Sequence, residues 1–219
     1  MQLFSKEAFI ELLLRIPIVL IALSVHEAAH AYASYRLGDP TARNFGRITL
    51  NPAKHFDPIG ALCLLLFRFG WAKPVPVNTR HFKNPRRDMA LTALAGPMSN
   101  VLLGFLGILL LKLLTLLLPL MPPTTIFSFN LYTQTVGFLY EFHWINLSFA
   151  VFNMLPIPPF DGSRVFLTFL PAKQYFAVMK YERYIMFALF FLIWAGYLTI
   201  PLSFIVNKIS GLMLWIVNL

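Results

Sequence analysis

The run AFIELLLRIPIVLIALSVHEAAHAYASYRL, residues 8–37, is apolar over more than the ~20 residues a hydrocarbon core requires, yet it carries His26, Glu27 and His30. Length and hydropathy predict one long membrane-crossing helix. Pro17 is expected to kink it, and Gly38-Asp39-Pro40 to stop it. An ionisable side chain inside such a span costs on the order of 2.5–3.5 kcal/mol on insertion scales, so three within five residues call for a partner or a task.

Working outward, the rest of the chain is of the same kind. Its 219 residues are 58% hydrophobic and 12% charged, against about 45–50% and about 25% in soluble domains, and the mean hydropathy is +0.68. Residues 89–118, 135–155 and 184–206 read as three further spans, the second of the four ending before Pro119 and the third running into Pro156, Pro158 and Pro159. Residues 59–69 are apolar but too short to cross, and read as a re-entrant or interfacial segment. The tail from Ile209 to Leu219 is also too short. The expected fold is therefore an all-α polytopic membrane protein, one domain over residues 1–219 with about four full transmembrane helices. Arg47-Ile48-Thr49-Leu50 and Val75-Pro76-Val77-Asn78 allow a small β-hairpin or sheet between the first two spans, with proline confining the strands to edges. A plain membrane-surface loop is the other reading. There is no repeat, low-complexity tract or linker.

The formal charge of +9 is placed as membrane proteins place it. Ten basic residues from Arg36 to Arg87 lie between the first two spans, and Arg164, Lys173, Lys180 and Arg183 follow the third. Both regions are expected at the cytoplasmic face of a cell membrane, with the N-terminus outside. This distribution points to the lipid bilayer and excludes nucleic acid as the partner. Cys63 is the only cysteine, so an intrachain disulfide and a cysteine metal site are both excluded. The N-terminus lacks the short apolar region and small-residue cleavage site of a removable signal peptide.

His26-Glu27-Ala28-Ala29-His30 is an H-E-x-x-H motif. Positions i and i+4 share a helix face, so both imidazoles can bind one Zn²⁺ while Glu27 approaches the water that attacks. Zinc lowers the pKa of bound water from about 15.7 to about 7, making hydroxide available for roughly 12 kcal/mol less than in bulk. Glu27 would accept the water's proton and pass it to the leaving amine. At this His and Glu content, roughly 0.003 such motifs arise by chance in a chain of this length. Two histidines leave a catalytic zinc one protein ligand short. Asp161 is the best third ligand, because the topology returns it to the side where the first span ends and the prolines before it prevent continuous helix. Alone, Asp161-Gly162 would read as a turn; paired with the histidines, it reads as a ligand.

His26-Glu27-x-x-His30, with Asn153-x-x-Pro156-x-Pro158-x-x-Asp161-Gly162, resembles the signature pair of the site-2 protease family of intramembrane zinc metalloproteases. Gly46–Pro52, Phe69–Asn78 and Gly96-Pro97-x-x-Asn100 also look like family features, so the resemblance covers most of the chain. It implies that His26, His30 and Asp161 hold zinc, that Glu27 is the general base, and that Asn153 stabilises the oxyanion or orients substrate. It also implies membrane-anchored protein substrates, commonly trimmed first by another protease. The chain departs from larger members in having no room for PDZ or CBS modules, so regulation through those is not expected; a regulatory membrane partner or a homo-oligomer is compatible with the reading.

Gly96, Gly104 and Gly107 form a small-residue stripe expected to pack against the first span through Ala28, Ala29, Ala31 and Ala33. Asn100 beside them either bonds across helices or assists the site. Val77, Asn78 and Asn100 are the candidate substrate-binding residues: a substrate helix must unwind before its carbonyl is reached, and an exposed edge near Asn78 could hold it extended. His55, His81 and His143 lack ligand spacing and read as structural or interfacial. Two other classes compete. A zinc-binding transporter has no evident need for Glu27 and should show an inverted repeat, which is absent; a catalytically silent adaptor need not keep every residue that hydrolysis requires.

Overall fold

The computed structural model describes residues 6–58, 60, 72–120 and 124–219. Helix α1 (Lys6–Arg36) runs through Pro17 and ends where expected. Gly38 takes a φ of 110°, its N–H bonds Tyr35 O at 3.1 Å, and the Asp39 N–H bonds Ser34 O at 2.9 Å. This paired closure satisfies two orphan carbonyls and turns the chain out of the helix. A short helix α2 (Thr41–Asn44) follows. Helix α3 (Pro85–Leu117) opens with proline at its first turn. Helix α4 (Ile126–Asn153) begins at a reciprocal Thr125–Ser128 cap. Helix α5 (Asp161–Phe166), α6 (Ala172–Lys180), α7 (Glu182–Trp194) and α8 (Thr199–Ile216) complete the fold.

Helix α3 is the hub. It packs against α1, α4, α5 and α8, and a core of Ile108, Leu147, Val151, Val206 and Met213 ties α3, α4 and α8 together. Its other face exposes Leu102, Leu106, Leu109, Leu113 and Leu116, the pattern of a helix solvated by lipid. Gly104 and Gly107 face His143, Phe142 and Leu139 of α4, and only Gly96 faces α1. The small-residue stripe therefore serves two partners instead of the one expected.

Three expectations are corrected among the described residues. The helices long and apolar enough to cross a membrane are three: Leu13–Arg36, Pro85–Leu117 and Thr199–Ile216. Helix α4 has the length, at 28 residues, but Asn130, Gln134, Glu141, His143 and Asn146 dilute its apolar character. The expected span 184–206 is not one helix. Gly196 takes a φ of 81°, and the bonds Gly196 N to Ile193 O and Tyr197 N to Leu192 O close α7 as Gly38 closes α1. The tail read as too short is instead the second half of α8. No strand forms among the described residues: Lys73–Asn78 is extended without a ladder partner, because Pro74 and Pro76 have no N–H to give, and it is tied to the 47–55 loop by the backbone bond Lys73 N to His55 O at 2.9 Å and by the Arg47 guanidinium on Lys73 O. The re-entrant segment at 59–69 lies, except for Gly60, outside the described residues.

Candidate metal centre

His26 and His30 sit one turn apart on the face of α1 that meets α3, and both are buried. Gly96 makes that meeting possible, since a Cβ there would lie 2.3 Å from His30 Nε2 and 2.7 Å from His26 Cε1. Asp161 arrives from another direction. The chain leaves α4 at Met154, turns through the prolines, and begins α5 with Asp161 as its first residue. Gly162 lets α5 fold back tightly, because a Cβ there would lie 2.3 Å from Met154 O and 2.6 Å from Leu155 O. Asp161 Oδ2 thereby comes to 3.0 Å from His26 Nε2 and 3.2 Å from His30 Nε2, and the two Nε2 atoms are 3.0 Å apart.

The outer nitrogens fix what the inner ones can do. His30 Nδ1 is 2.7 Å from Thr92 O, a carbonyl that only accepts, so Nδ1 carries the proton. His26 Nδ1 is 2.7 Å from Asn100 Oδ1. Asn100 cannot be turned over: its Nδ2 donates to Ala22 O and Asn146 Oδ1, both at 3.1 Å, while Asn146 Nδ2 donates to Phe142 O at 2.8 Å. A chain of donors anchored on a backbone carbonyl thus sets the His26 tautomer. Both imidazoles present bare Nε2 lone pairs to each other and to a carboxylate oxygen. A single proton can bridge only one edge of this triangle, whereas a cation bound by all three atoms would satisfy them together. Two imidazoles and one carboxylate are the donor set of a catalytic zinc.

The other expected residues each have partners of their own. Glu27, half-buried, accepts the Val75 N–H on Oε2 at 3.2 Å. Asn78 caps the short 3₁₀ turn Thr79–His81 with its side chain, and its N–H donates to Asp39 Oδ2 at 2.7 Å. Val77 is half-buried in the same extended segment. Asn153 is the last residue of α4, with Nδ2 donating to Phe149 O at 3.0 Å. Asn100 is fully buried among protein partners. His55 and His81 brace loops, through Thr49 O at 2.8 Å and Asp39 Oδ1 at 2.9 Å. His143 joins α4 to Gly104 O of α3 and Ser210 Oγ of α8. Sequence reasoning missed Thr92, Asn146 and Val75. Asn146 was legible as a polar residue inside a span; Thr92 and Val75 act through backbone atoms and leave no residue-type signal.

Residues 15–196 match the sequence profile described as peptidase family M50. The chain belongs to peptidase family M50, the site-2 protease family. It is 42% identical over 153 residues to a Bacillus subtilis protein named "Putative zinc metalloprotease YwhC", covering 70% of this chain and 67% of that one. It is 28% identical over 148 residues to a Mycolicibacterium smegmatis protein named "Putative zinc metalloprotease Rip2", of whose length it covers 52%. A Mycobacterium tuberculosis Rip2 is 30% identical over 176 residues, with 62% of its length covered. The chain thus spans about half to two thirds of the length of these relatives. No solved structure gives a significant match. Membership in M50 implies Zn²⁺ and metalloprotease chemistry, and the described group His26–His30–Asp161, with ligand atoms within 4.8 Å of one another, fits that ion.

Proposed function

We propose that this M50 protein is an intramembrane zinc metalloprotease that hydrolyses peptide bonds within or near transmembrane segments of membrane-anchored proteins, through a single domain over residues 1–219. The observation that carries this reading is the convergence of two tautomer-locked imidazoles and one carboxylate on a single point, with Glu27 beside it. His26, His30 and Asp161 hold the ion. When bound, zinc supplies Lewis acidity, making the attacking water acidic enough to react at neutral pH and polarising the scissile carbonyl. Glu27 takes the proton from that water and delivers it to the departing amine nitrogen. Asn153, the last residue of α4, supports the oxyanion or the substrate backbone. Val77 and Asn78 lie in the extended segment suited to present an unwound substrate. Asn100 acts on His26 instead of on substrate, since its amide atoms are engaged within the protein.

Depth supports cleavage inside the bilayer. His30 precedes the end of α1 by six residues and Thr92 follows the start of α3 by seven, so each lies about 10 Å from the helix ends at 1.5 Å per residue. His26 lies about 15 Å in by the same measure. Both helix ends adjoin the arginine-rich loop, and that charge bias supports a site on the cytoplasmic side with the N-terminus outside. No observation favours a transporter or a silent adaptor.

The test is protein purified in detergent, assayed for bound metal and for cleavage of a transmembrane test substrate. One zinc per chain is expected, with Glu27→Gln keeping the metal and losing activity by about 10²–10⁴-fold. Wild-type cleavage by Glu27→Gln would refute the assignment.

A further inference from the structure

The segment Lys73-Pro74-Val75-Pro76-Val77-Asn78 is held at both ends and touches Glu27 in the middle. At one end the Lys73 N–H donates to His55 O at 2.9 Å, and the buried Arg47 guanidinium donates to Lys73 O. At the other end the Asn78 N–H donates to Asp39 Oδ2 at 2.7 Å. Asp39 is itself buried and receives Thr41 N at 3.0 Å and His81 Nδ1 at 2.9 Å. Between these anchors, prolines at 74 and 76 carry no N–H, so Val75 is the single backbone donor of the Pro-Val-Pro triplet. Each proline also pushes the residue before it, Lys73 and Val75, into extended conformations, which limits where that donor can point. It points at Glu27 Oε2, at 3.2 Å.

We propose that the Val75 N–H is the positioning group for Glu27: a backbone donor on a strap tethered at Lys73 and Asn78 fixes one carboxylate oxygen and leaves the other to receive the water's proton. The inference rests on the reading of Glu27 as general base and adds what aims it. A glutamate side chain has three rotatable bonds, and a helix fixes none of them beyond the first. Glu27 leans on one charge-assisted bond from a donor whose own freedom the two prolines remove. The arrangement also explains why the strap forms no ladder on this side: its only central donor is committed to the site.

The test compares two substitutions at one position. Val75→Ala keeps the N–H, and Val75→Pro removes it while preserving extended backbone. Val75→Ala is expected to keep kcat within about threefold of wild type, and Val75→Pro to lose about 10–100-fold in kcat, the scale of misplacing a catalytic group by an ångström, with KM and bound zinc unchanged. A second readout is independent of turnover and of Val75→Pro folding. In protein labelled with ¹⁵N-valine, the Val75 amide is assigned by its disappearance in Val75→Ala. Its proton resonance should move upfield in Glu27→Ala by more than that of any other valine. Equal losses in both Val75 variants, a wild-type kcat in Val75→Pro, or a Val75 amide unmoved by Glu27→Ala would each overturn the proposal. Cleavage that survives Glu27→Ala would overturn the base assignment instead, and the amide shift would still report whether the contact exists.

Discussion

Substituting Gly96 by alanine adds one methyl group to α3, and the geometry says it should disable the metal centre without unfolding the helix. The new Cβ would lie 2.3 Å from His30 Nε2 and 2.5 Å from His30 Cε1, about 1.1 Å short of the 3.4 Å at which ordinary contact begins. His26 Cε1 at 2.7 Å blocks the obvious retreat. Either the rings rotate, breaking the 2.7 Å bonds to Thr92 O and Asn100 Oδ1, or α3 moves away from α1 and carries those acceptors with it. Loss of one such orienting bond costs about 10–100-fold in metal affinity. With both at risk, zinc affinity should fall at least about 100-fold, or about 2.7 kcal/mol. Alanine is the better helix former by about 1 kcal/mol, so the loss cannot be charged to α3 itself. Zinc competition against a chromogenic chelator in detergent measures the affinity, and thermal unfolding of the metal-free protein checks the fold. Gly104→Ala is the control, since its Cβ comes no nearer than 3.3 Å to His143 O, with His143 Nδ1 and Leu147 N at 3.6 Å, and touches no ligand, so it should leave zinc binding intact. A Gly96→Ala protein that binds zinc within threefold of wild type would show that the helix contact drawn here is wrong.

Other consequences are open to measurement. Asn100→Leu removes the acceptor for His26 Nδ1–H and should weaken zinc binding by about 10–100-fold while far-ultraviolet circular dichroism stays unchanged; undiminished affinity would make the Asn146–Asn100–His26 chain incidental. Burial pushes the Asp39 carboxyl up, but hydrogen bonds from the Thr41 hydroxyl, the Asn78 N–H, His81 and the Thr41 N–H outweigh it and hold the pKa below its ordinary value. A pKa lower in the folded state gives stability that is present above the unfolded value, about 3.9, and is lost as pH falls through the folded one. Thermal stability in detergent should therefore drop below about pH 4, and Asp39→Asn should flatten that acid limb; identical limbs in the two proteins would contradict it. Ser210→Ala removes the 2.8 Å bond to His143 that joins α8 to α4. It should cost about 0.6 kcal/mol, at most about 1.7, with zinc content unchanged; a larger loss, or lost metal, would give α8 a part in the centre.

Two glycines show how far local chemistry could be read. Gly38 and Gly196 close their helices with the same pair of backbone bonds. Gly38 announces itself because Asp39 and Pro40 follow it, and neither continues an apolar helix. Gly196 lies between Ala195 and Tyr197 in an apolar run, and glycine is more frequent inside membrane helices than inside soluble ones, so it marks no end there. Hydropathy summed across it gives one span where the backbone makes two helices. The expected β-hairpin is missing from the described residues for a backbone reason: Val75-Pro76-Val77-Asn78 reads as an edge strand, but a segment without N–H groups at Pro74 and Pro76 has little to pair with.

What the sequence determined by itself was chemistry that depends on residue type and short spacing. His26 and His30 share a face because a helix repeats every 3.6 residues, and lipid makes any charge on that face expensive without a partner. Asp161 is reached by residue type, as an acidic side chain after a proline-rich break at the end of an apolar helix. The tertiary structure alone decided how the ligands are held. The Thr92 carbonyl, the Val75 N–H and the van der Waals space at Gly96 and Gly162 belong to the backbone, which is the same at every position until folding brings distant segments within 3 Å of each other.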